Sequence, residues 1–141
     1  MNITIVARKG QIFDQNPQKP VDALLRAGLL RGDPGEIAIT KITRAAGDKR
    51  DLLDEIRQSA PDVLITEDLE GFEMCTLTDA VSYNLIHKRQ FHFLLKDHIE
   101  DEKYLAKQLS LVMTFVCPDE KKVAEYLEKY PDLPEVAVID I

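Results

Sequence analysis

Four carboxylates stand close together at Glu67, Asp68, Glu70 and Glu73. Two cations, Arg8 and Lys9, lie far from them along the chain and are followed by Gly10. If folding brings the two groups together, Glu67 or Asp68 can serve as acid–base or metal ligand while Arg8 or Lys9 takes an anion. Oxygen ligands suit Mg²⁺ or Ca²⁺, which makes Glu67, Asp68, Glu70 and Glu73 the candidate metal set. Their spacing is not that of an EF-hand, which needs acidic or amide residues at alternate positions, a central Gly and a closing Glu. A solvated acidic loop ahead of a helix N-terminus accounts for the same residues. That reading is favoured, so no metal is expected, and any cofactor stays undefined.

The other chemistry-bearing residues point to less. The chain has neither GxxxxGK[ST] nor GxGxxG, and no GxSxG elbow. A phosphoryl-accepting receiver domain would place an acidic pair after its first strand, where this chain has Arg8 and Lys9. Asp68 is then half of such a site, and Lys96 does not complete it. His87, His92 and His98 are scattered; His92 alternates with Phe91 and Phe93 and reads as a hydrogen-bonded packing residue. Cys75 precedes a helix start that can lower a thiol pKa, but the surrounding carboxylates act the other way.

The elements that must position these groups are legible from periodicity. Residues 2–7 are β-branched and read as a first strand. Residues 8–19 form a long polar loop, of the length that is more often functional. Pro20 opens a first helix with Val21, Leu24, Leu25 and Gly28 on its apolar face. Residues 36–43 alternate as a second strand. Asp48 is the candidate N-cap of a second helix carrying Leu52, Leu53, Ile56 and Ala60. Val63, Leu64 and Ile65 make a short continuous apolar run, as in a central parallel strand. The acidic loop follows, then Thr76-Leu-Thr-Asp79 as a capping box for a third helix. Residues 90–95 are the fourth strand. A fourth helix opens at Asp97 and ends at Pro118. A fifth runs on to Lys129 with Val123, Leu127 and Tyr130 inward, and a final strand spans 136–141.

Strands alternating with helices over residues 1–141 predict a single three-layer α/β/α domain. Its sheet is five-stranded, mostly parallel and doubly wound, in a flavodoxin-like order 2-1-3-4-5 or a Rossmann-like order 3-2-1-4-5. Ligands of such sheets bind outside the strand carboxyl ends, which in the first order puts the Arg8/Lys9 loop beside the Glu67/Asp68 loop. Plain surface ion pairing between the loops is the competing reading.

Composition sets the outer limits. Of 141 residues, 45% are hydrophobic and 30% charged, as in ordinary globular chains. The formal net charge of −7 argues against a nucleic-acid binder, which needs a basic face. No apolar run approaches the roughly 20 residues of a membrane helix. Cys75 and Cys117 form no CxxC pair, and residues 1–10 show no export signal, so a cytoplasmic location with free thiols is expected.

Two function classes fit these limits. One is a non-catalytic binding or assembly module. The other is a binding protein or enzyme for a small anionic metabolite, working from the loops after strands one and three, with or without a divalent metal. A homodimer is also expected. On a fourth helix running to Pro118, Leu105, Leu109, Val112 and Val116 form one stripe, and Tyr104, Leu111 and Phe115 form a second, which a two-fold interface would bury.

Overall fold

The structure is a computed structural model that describes residues 1–30, 33–66, 91–94, 114–117, 120–129, 131 and 136–138. The β-branched run near the start forms β1 (Asn2–Arg8), in which Ile3, Ile5, Val6 and Ala7 are fully buried and Thr4 nearly so. A strand without an exposed face must lie inside a sheet and be covered on both sides. β1 meets the first condition: it pairs in parallel with β2 (Ala38–Arg44) on one edge and β3 (Val63–Thr66) on the other. Ile5 registers with Lys41 on β2 and with Ile65 on β3.

The chain is thus α/β, with helices and a parallel sheet. Beyond β3 the sheet continues through β4 (Phe91–Leu94), β5 (Thr114–Cys117) and β6 (Val136–Val138), in the order β2-β1-β3-β4-β5-β6, every neighbouring pair parallel. Four α-helices are described: α1 (Ile12–Gln15), α2 (Gln18–Arg26), α3 (Leu52–Ser59) and α4 (Glu120–Lys129).

The period of two along β1 separates its faces. Ile3, Ile5 and Ala7 join Val63 and Ile65 in one apolar cluster with Phe13 of α1 and Val21, Ala23 and Leu24 of α2. Thr4 points the other way, and its hydroxyl lies 2.7 Å from that of Ser59 at the end of α3. Ser59 spends its one hydroxyl proton on the Ile56 carbonyl at 2.8 Å, so Thr4 is the donor to Ser59. Helices α2 and α3 therefore lie against opposite faces of β1.

Helix ends follow their residues. At the end of α2, Gly28 N–H donates to Leu25 O at 3.1 Å and Leu29 N–H to Leu24 O at 3.0 Å. This paired closure needs a left-handed residue, and Gly28 has φ 73°. Gly28 is thus the stop of the helix, not part of its apolar face. The cap of α3 is Asp51, whose carboxylate accepts from Asp54 N–H at 3.3 Å. Asp48, three residues earlier, is engaged by Arg50 instead. Ala60 closes α3 with φ 45°, left-handed without being glycine.

Several expectations need correction. The sheet has six described strands, not five, because Thr114–Cys117 is β5 and not the end of a helix reaching Pro118. Thr114, Phe115 and Val116 are good strand formers, and that preference prevails over the apolar helix pattern preceding them. Phe115, offered as part of a helical dimer stripe, registers with Phe93 and Val136 in the sheet. Tyr104 and Leu111 lie outside the described residues. The loop at 8–19 contains α1, and α2 starts before Pro20. The second strand begins at Ala38, behind a short 3-10 turn (Pro34–Glu36). Leu127, expected inward, is 45% exposed.

Ile56 is fully buried. Ile56→Ala should lower unfolding free energy by about 2–5 kcal/mol, through lost burial and the cavity left behind. Ala60→Gly should raise it by about 1 kcal/mol, because glycine relieves the left-handed strain, of about 1–2 kcal/mol, at some entropic cost. Urea denaturation of the two variants checks both signs.

Candidate functional site

The chain leaves β1 outward to β2, then crosses back over β1 to β3 and onward to β6. Direction therefore reverses at the β1/β3 border, and the carboxyl ends of those strands flank the crevice where parallel sheets bind ligands. On the described side stand Arg8, the last residue of β1, and then Lys9. Arg8 is half-buried and registers with Arg44 at the end of β2. Lys9 is exposed, with its N–H donating to Arg44 O at 2.8 Å. Neither Arg8 nor Lys9 has a side-chain ion pair among the described residues.

The following turn is held to the scaffold by Asp14. Gly10, with φ 79°, turns its N–H onto Asp14 Oδ2 at 2.9 Å. Thr43 Oγ1 donates to Asp14 Oδ1 at 2.8 Å, and Lys41 Nζ stands 3.0 Å from the same oxygen. Lys41 also donates to the Asp14 carbonyl at 2.9 Å. The Gly10 N–H first, then Thr43 and Lys41, lower the Asp14 pKa to about 2. This network ties α1 to β2 and fixes the loop that carries Lys9 and Gly10.

A second carboxylate organises the turn after β2. Asp48 accepts from Arg50 Nε at 3.1 Å, from Nη2 at 2.7 Å and from the Arg50 backbone N–H at 3.1 Å. The buried guanidinium of Arg44 stands 3.6 Å from Asp48 and donates to Arg50 O at 3.1 Å. The Arg50 side chain, then its backbone N–H, hold Asp48 well below the ordinary carboxylate range. Arg50 is raised in turn, chiefly by Asp48. Neither acid can store a proton near neutral pH.

The structure thus places Arg8 and Lys9 at the strand ends expected of them. Glu67, Asp68, Glu70 and Glu73 lie outside the described residues. Among the described residues, no group of His, Cys, Asp and Glu could hold a metal ion. Thr66, the last residue of β3, is buried and registers with Val6 of β1. A cavity of about 450 Å³ lies elsewhere, along β2 and α3, lined by Thr40, Lys41, Thr43, Arg50, Glu55 and Ser59 among others. Sequence reading missed the parts played by Asp14, Lys41 and Thr43. Gly10 followed four residues later by Asp14 was the local hint, but the rest depends on β2 lying beside β1.

Set against known proteins, the chain matches no family model, no curated protein and no solved structure. Among the described residues, no helix is long and apolar enough to cross a membrane.

The depressed pKa of Asp14 has a defined pH signature. A carboxylate whose folded pKa lies below its ordinary 3.8 adds stability above that value and loses it as pH falls toward 2. Asp14→Asn should therefore be less stable than the natural chain at neutral pH. The gap should narrow as pH falls through that window. Urea midpoints of both proteins at neutral pH and near the lower limit test this; a pH-independent gap would refute it.

Proposed function

We propose that this chain is a non-catalytic binding module on a doubly wound, three-layer α/β scaffold of flavodoxin-like strand order. Its ligand is anionic and sits at the carboxyl ends of β1 and β3. One observation carries the reading. At the described strand ends Asp14 and Asp48 are spent on internal partners, whereas Arg8 and Lys9 have no ion pair among the described residues. Surplus cations at a crevice favour a ligand with negative charge and attract it from a distance. The backbone supports the same reading, because the Gly10 turn is pinned from three sides and presents Lys9 on a fixed base.

Acid–base catalysis has less support, since Asp14 and Asp48 stay ionised. Glu67 and Asp68, which follow β3 in sequence, form the second wall in this proposal. There they accept hydrogen bonds from the ligand or share a divalent cation with it.

Thermal unfolding with inorganic phosphate, pyrophosphate or citrate tests the reading, because a ligand that binds only the folded state raises Tm. At least one of these anions should raise Tm of the natural chain. Arg8→Ala and Lys9→Ala should each reduce the shift, and Asp68→Ala should alter it. Equal shifts in all variants would place the ligand elsewhere, and no shift with any anion would remove the proposal. A shift that appears only with Mg²⁺ and vanishes in Glu67→Ala would favour the metal-dependent alternative.

A further inference from the structure

Among the described residues β2 pairs with β1 alone and forms one end of the sheet. Ala38 N–H donates to Met1 O, and Arg44 O accepts from Lys9 N–H. Residues bonded to a parallel neighbour alternate along a strand, so Ala38, Thr40, Ile42 and Arg44 turn their backbone groups toward β1. Ile39, Lys41 and Thr43 turn theirs away. Such an edge is a template for another strand.

One outward group is already occupied: the Thr43 carbonyl accepts from the Arg50 guanidinium. Arg50 is held there by Asp48, at 3.1 and 2.7 Å, and by Glu55, at 3.3 Å. It forms part of the wall of the cavity that runs along β2 and α3.

We propose that Arg50 is a clasp that closes the β2 edge against strand addition by a second copy of this chain. The excluded occupant is another β2. The strand reads Ala-Ile-Thr-Lys-Ile-Thr-Arg, without Pro or Gly and β-branched at Ile39, Thr40, Ile42 and Thr43. A two-fold axis at Lys41 would set Lys41 against Lys41, which repels. An axis at Thr40 sets Ile39 against Lys41 and Thr40 against its own copy, so the edge is self-complementary in that antiparallel register. In it, Thr43 would bond with Ile37 of the second copy. By holding the Thr43 carbonyl, Arg50 denies the outermost bonded pair at each end of the joint, and its guanidinium fills the space of the incoming strand.

The experiment compares the natural chain with Arg50→Ala by sedimentation equilibrium and by amide exchange. At high micromolar concentration the variant should have twice the mass of the natural particle. Its Ile39 and Lys41 amides, fast to exchange in the natural chain, should slow by about tenfold or more. Adding Ile39→Pro should restore the natural mass, because proline removes one outward N–H from the edge. A folded Arg50→Ala with unchanged mass and exchange overturns the proposal. Association that leaves the Ile39 and Lys41 amides fast also overturns it. If Arg50→Ala does not fold, Arg50→Lys keeps the charge but loses the fork that joins Thr43 to Asp48. The same readouts then decide.

Discussion

The burial of Ile3 to Ala7 in β1 requires both edges and both faces of that stretch to be occupied. A buried strand must bond all its backbone groups, since each orphan costs about 1–3 kcal/mol. Flanking strands on both sides meet that demand. Burying each Ile or Val adds about 1.5–3 kcal/mol, against about 1–2 kcal/mol for ordering each residue's backbone. The margin is small, so a single polar misfit matters. Thr4 is the polar residue inside this strand, and Ser59 makes it tolerable by accepting its hydrogen bond. A hydroxyl on α3 thereby helps fix how that helix sits on the sheet.

The features legible in the sequence were those set by local pattern. The apolar runs of β1 and β3 and the alternation of β2 show at once, with ends shifted by a residue or two. Phe13 was not legible as core, because it stands in a polar stretch and α1 is only a turn long, yet it is fully buried. Asp48 was the expected cap, but Arg50 engages it and Asp51 caps the helix instead. The stretch at 114–117 shows the limit of periodicity. A short apolar run suits a strand or a helix equally, and the β-branched and aromatic content of Thr114, Phe115 and Val116 should have decided it.

The candidate site was legible by halves. Arg8 and Lys9 could be placed because a strand end is easy to find and its cations stand next to it. The Asp14 network could not, since Lys41 and Thr43 are about thirty residues from Asp14 and meet it only through strand register. The same register distributes charge. It gives Asp14 and Asp48 to cations from β2 and its turn, and leaves Arg8 and Lys9 without an ion pair among the described residues.

The place of β1 in the sheet also bears on synthesis. Ile3 has to find Val63, sixty residues further along the chain, before its second edge is closed. At about 5–20 residues per second, a ribosome needs roughly 3–12 seconds to supply that partner. Through that interval β1, with Ile3, Ile5, Val6 and Ala7, is outside the tunnel with an unpaired edge, available to any other nascent strand. Pairings this distant also slow the search for the native topology. The constraint that buries Ile3 to Ala7 on both faces in the finished protein makes β1 a hazard in the growing one.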